Sequence, residues 1–147
     1  MDVCKWGYVL RNFLAMLLGC TVVLASGAVA DVQKCTMRTA DNGSGGGWVS
    51  QEIFLIRDDA TGKLQILDGL IATFNKDKPL DAKITGDKPA SQSFGWNLLM
   101  VNGAGQRTKM QYLATLFKAN HELHVMARPI GFSNTFSAVG TCAIYNG

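Results

Sequence analysis

Between residues 94 and 101 apolar and polar positions alternate. Phe94, Trp96, Leu98 and Met100 share one parity, and Gly95, Asn97, Leu99 and Val101 share the other. A strand places successive side chains on opposite faces, so this period of two predicts a half-buried strand. Asn102-Gly103-Ala104-Gly105 follows and predicts a hairpin turn, because Asn and Gly tolerate positive φ. Met110, Tyr112, Ala114 and Leu116 resume the alternation, and a link at 118–121 leads to Leu123, Val125 and Ala127. Gly131-Phe132-Ser133-Asn134 turns the chain again before Phe136, Ala138, Gly140, Cys142 and Ile144 share a parity.

Upstream, 48–58 and 63–71 read as two strands flanking Asp58-Asp59-Ala60-Thr61-Gly62, whose final Gly suits a bulged turn. An opening strand carries Cys35 and Met37 inward. Two segments read as loops. Asn42-Gly43-Ser44-Gly45-Gly46-Gly47 is too rich in Gly for regular structure. The stretch 75–91 mixes Lys and Asp with Pro79 and Pro89, as a solvated surface does, and 81–85 adds at most a short polar strand within it.

Seven or eight strands in chain order, joined by short turns, predict an all-β antiparallel meander closing as a small barrel. Closure removes the unpaired edges. A β-sandwich is the alternative. A second alternative is an α+β fold with one helix near 107–118, because Met110, Leu113, Ala114 and Phe117 also fit helical spacing. Leu64, Leu67 and Ile71 do the same around Gly69, which leaves 63–74 open between strand and helix.

The first thirty residues change the chain's address. Lys5 and Arg11 precede an uncharged run from Phe13 to Ala30, which ends on Ala28-Val29-Ala30, the small-x-small pattern of a signal-peptidase site. The segment 1–30 is therefore expected to be an export signal, and 31–147 a single exported domain, periplasmic or secreted, with no membrane span after cleavage. Cys4 and Cys20 leave with the signal. Cys35 and Cys142 remain, and an oxidising compartment predicts a disulfide between them. Such a bond sets the first and last strands side by side.

Composition narrows the function classes. A chain of 147 residues suits one domain, and a net charge of +3 with no concentration of Lys or Arg argues against nucleic acid. An outer strand face carrying Asn97, Lys109, Gln111, His124 and Arg128 is too polar for lipid, which argues against a membrane barrel. The phosphate-loop pattern fails at Arg57 and Leu64, and the nucleophile elbow fails at Asn42. His121 and His124 are three apart, which puts them on opposite faces of a strand, and no further His or spare Cys completes a metal site. No cofactor or metal is expected.

Glu52 with Asp68 is a candidate carboxylate pair for acid–base work, and His124 a candidate base, so a cleft enzyme stands as an alternative. The aromatic residues Trp48, Phe94, Trp96, Tyr112 and Phe136 point largely toward the barrel interior. They either fill it or line a pocket for an apolar ligand. Gly46-Gly47-Trp48 resembles the short G-x-W signature near the start of lipocalins, although no lipocalin-like closing helix follows. The expected function is non-catalytic binding, of a small apolar ligand or a protein partner. An inhibitor of an envelope or secreted enzyme belongs to the same class.

Overall fold

The computed structural model describes residues 30–39, 47–101 and 103–147. The expected export signal, apart from Ala30, and residues 42–46 of the glycine-rich segment lie outside the described residues. Eight strands and one short helix follow in chain order. They are β1 (Ala30–Thr39), β2 (Glu52–Asp58), β3 (Leu64–Asp68), α1 (Gly69–Phe74), β4 (Leu80–Asp87), β5 (Ser91–Val101), β6 (Arg107–Phe117), β7 (Glu122–Pro129) and β8 (Phe136–Ile144). Each strand pairs antiparallel with the next, and β8 pairs with β1, so the sheet closes into a barrel.

The sandwich alternative is thereby set aside, and so is a helix near 107–118. Along β6 the buried set is Met110, Tyr112, Ala114 and Leu116, while Leu113 and Phe117 are exposed. Period two prevails because β5 and β6 stay in register from Ser91↔Phe117 to Val101↔Arg107, which satisfies the backbone of both strands.

Three boundaries differ from the sequence expectation. The strand expected over 63–71 stops at Asp68, whose side chain accepts a 2.8 Å hydrogen bond from the Ile71 N–H and caps α1. The strand expected over 48–58 begins only at Glu52, after a turn containing Gly47 and Trp48. The loop expected over 75–91 holds an eight-residue strand, β4, whose exposed positions include Asp81, Lys83 and Thr85 and whose pairing with β5 shifts register between Ile84 and Gly86. Its inward side is small or only half-buried, so the alternation is faint.

The meander gives the barrel two unlike ends. The connections β1–β2, β3–β4, β5–β6 and β7–β8 gather at one, which is also the end that α1 covers. Ile71 is fully buried there, and Leu70 and Phe74 pack against the core. The connections β2–β3, β4–β5 and β6–β7 gather at the other. Among the described residues no helix is long and apolar enough to cross a membrane.

Cys35 and Cys142 are direct partners across the β1–β8 seam and form a disulfide. The strands approach closely here. A Cβ on Gly140 would run into the Thr36 carbonyl oxygen and lie 2.6 Å from Met37 Sδ. The interior is filled by Ile53, Leu55, Leu64, Ile66, Leu98, Met110, Leu123 and Val125 around a column of rings.

Candidate functional site

That column is Phe94, Trp96 and Tyr112. Trp96 lies 5.0 Å from Tyr112 with the rings nearly parallel at 2°, and 6.2 Å from Phe94 at 22°. Consecutive inward positions of β5, and the register pair Trp96↔Tyr112, put them in contact. Trp48 and Phe136 sit elsewhere. Both are half-buried near the α1 end, stacked at 5.5 Å and 26°. A hydrogen bond joins the two groups, from the Tyr112 hydroxyl to the Trp48 carbonyl at 3.0 Å. Burial, with the Asp68 carboxylate as a lesser cause, pushes the Tyr112 phenol well above its ordinary range, so the hydroxyl keeps the proton that it donates. The five aromatic residues singled out in the sequence thus form one connected chain running from the core to the rim.

A groove of about 690 Å³ lies on the outside of this end, between α1, the turn that follows Gly47, and the ends of β2 and β3. Val49, Phe54, Leu67, Leu70 and Ala72 give it an apolar lining. Ser50, Glu52 and Asp68 supply oxygen atoms along its edge. Trp48 adjoins the groove through its neighbours Gly47 and Val49.

Ser50, Glu52 and Asp68 each have a structural partner. The Ser50 hydroxyl oxygen accepts from the Leu70 N–H at 3.4 Å. Glu52 pairs with Lys34 at 2.7 Å, and Asp68 caps α1. Burial raises the Asp68 carboxyl above its ordinary value, against hydrogen bonds from Ile71, Leu70 and Ser50 that lower it. The carboxylate pair named from the sequence, Glu52 with Asp68, therefore shares one groove. Asp68 is on the inward side of β3 and Glu52 on the exposed side of β2, and they meet only at the rim.

His124 lies elsewhere, on the outer wall of β7, with Nε2 2.6 Å from Glu122 Oε1 and its ring edge-on to Phe117 at 5.0 Å. His121 occupies the β6–β7 turn in the left-handed region, φ 54°. The structure does not bring these histidines to the groove.

Phe54, Leu67, Leu70 and Ala72 were not singled out by sequence reasoning. A signal was present: Ile53-Phe54-Leu55-Ile56 is apolar on both parities, which marks a strand covered on both faces. Comparison with protein-family models, with characterised proteins and with solved structures finds no match to this chain.

Proposed function

We propose that the chain is an exported, non-catalytic binding protein that takes a small, mainly apolar molecule bearing a hydrogen-bond donor into the groove beside α1. The observation that carries this reading is the lining of that groove. Its volume of about 690 Å³ falls in the range of small-molecule sites, its walls are aliphatic and aromatic, and its edge carries the oxygen atoms of Ser50, Glu52 and Asp68 beside the Gln51 amide. Acceptors at the rim favour a ligand that donates, and two carboxylates disfavour one that is itself an anion. The rigid seam supports binding because a groove held in shape loses little on ordering. The disulfide also agrees with an oxidising, extracytoplasmic compartment.

The test is tryptophan emission of the processed, oxidised chain titrated with octylamine, octanol and octanoate. Octylamine or octanol should give a saturable change, octanoate none, and Ala72→Arg, which fills the groove without removing a core side chain, should abolish the response. No response to any probe, or a response unaltered by Ala72→Arg, would overturn the reading.

A second reading, a carboxylate-dependent enzyme, rests on Glu52 and Asp68 sharing the groove and on the raised Asp68 carboxyl. It predicts turnover lost in Asp68→Asn, a variant that keeps the cap acceptor. The non-catalytic reading predicts that Asp68→Asn still binds.

A further inference from the structure

We propose a second binding site, at the end of the barrel opposite α1, for a small carboxylate that also carries an N–H or O–H donor. The site differs from the groove in place and in ligand chemistry, and it stands independently of the reading above.

Three strands change character at this end. On β2 the inward series Ile53, Leu55 ends in Arg57, and on β5 the inward series that leads to Phe94 and Trp96 begins with Gln92. On β1 Asp31 and Gln33 precede the buried Cys35 and Met37 on the same parity. A cavity of about 340 Å³ lies among Gln33, Arg57, Asp87, Gln92, Lys118 and His121.

The hydrogen bonds at this end fix the side-chain orientations. Arg57 Nη2 donates to Gln92 Oε1 at 2.6 Å, and Gln92 Nε2 donates to Asp87 Oδ2 at 3.2 Å. Arginine only donates and a carboxylate only accepts, so the amide of the buried Gln92 has one workable orientation. Lys118 Nζ donates to Asp87 Oδ1 at 2.6 Å. That ammonium foremost, then the Gln92 amide, holds the Asp87 carboxyl below its ordinary value. Gln33 Nε2 donates to Asp31 Oδ2 at 3.3 Å, which by the same reasoning turns Gln33 Oε1 away from Asp31.

Two capacities remain unspent. Arg57 is half-buried and bonded to a neutral amide; among the described residues it forms no ion pair, although Asp31 is its cross-strand partner. A guanidinium has five N–H donors in a planar fork that matches a carboxylate. Gln33 Oε1 is buried with no hydrogen-bond partner, an acceptor lacking a donor. The other facing charges are engaged: Lys118 and Asp87 form an ion pair, Asp31 takes the Gln33 amide, and the Arg57 charge helps to lower the Asp87 carboxyl, so Arg57 and Lys118 together offset Asp31 and Asp87. A ligand that gives its carboxylate to Arg57 and an N–H or O–H to Gln33 Oε1 satisfies both.

The test is NMR of the arginine Nε–H and glutamine side-chain amide signals in the processed, oxidised chain, titrated with glycolate and with acetate. Glycolate should shift the Arg57, Gln33 and Gln92 signals saturably, and acetate, lacking the donor, should bind about tenfold more weakly. Arg57→Gln should weaken glycolate binding by at least about tenfold, and Arg57→Lys, which keeps the charge but not the fork, by several-fold. Ala72→Arg should leave glycolate binding unchanged, which separates this site from the groove. If Arg57→Gln does not fold, the glycolate-to-acetate ratio and Arg57→Lys still decide. No saturable shift with glycolate, equal binding of the two acids, or binding indifferent to Arg57 would overturn the proposal.

Discussion

Replacing both Cys35 and Cys142 with Ala probes the seam on which the fold depends. The bond links residues 107 apart in sequence. On the chain-entropy model, a crosslink across a loop of about 100 residues removes roughly 4.7 kcal/mol of unfolded-state entropy. Both sulfurs are buried, so small packing losses add to that figure. The native barrel should persist, since β1 and β8 remain in register from Gln33↔Ile144 to Thr39↔Ala138 without the bond. The double variant should therefore keep its near-ultraviolet circular dichroism while losing about 4–5 kcal/mol in urea denaturation. The urea m-value should rise, because the uncrosslinked unfolded chain exposes more surface. At about 4 °C per kcal/mol for a domain of this size, Tm should fall by roughly 15–20 °C. A loss below about 1 kcal/mol with an unchanged m-value would refute the reasoning, because the bond would then not be restricting the unfolded chain.

At the same seam, Gly140→Ala forces a methyl group against the β1 backbone at Thr36 and Met37, and should cost about 1–3 kcal/mol or more by thermal or urea unfolding. Asp68 separates capping from charge. Asp68→Ala removes the acceptor for Ile71 N–H and should cost about 1 kcal/mol, whereas Asp68→Asn keeps it. Burial raises the folded-state pKa of Asp68 above its ordinary value of 3.8, so its share of stability is greatest below 3.8 and declines as pH rises through the folded value. Asp68→Asn should consequently be more stable than the parent at neutral pH, with the difference vanishing as pH falls below 3.8; an advantage that grows on acidification would contradict the assignment.

Strand order and closure were legible because β5 to β8 bury one parity cleanly, from Gln92 through Cys142, and because Cys35 and Cys142 fall on the first and last strands. The helix was half legible. Leu64, Leu67 and Ile71 carry helical spacing, but they are divided between β3 and α1 at Asp68, and only recognition of Asp68 as a cap places the boundary. β4 was legible only as a short polar strand at 81–85, because its closure of the barrel depends on neighbouring strands and little on its own apolar content. The alternation of the five aromatic residues could not show that three stack in the interior while two pair at the rim. The groove was legible only as the run Ile53-Phe54-Leu55-Ile56, apolar on both parities; what lies against the outward Phe54 and Leu67 depends on where α1 comes to rest.

The binding proposed for the groove beside α1 can be located residue by residue. Backbone-amide NMR of the processed, oxidised chain with saturating octylamine tests it most directly. Chemical-shift changes should be concentrated at 47–54 and 67–72, with the core signals of Phe94 and Trp96 and the outer wall of β7 little altered. Changes centred on the ring column or on that outer wall, with α1 unperturbed, would contradict it.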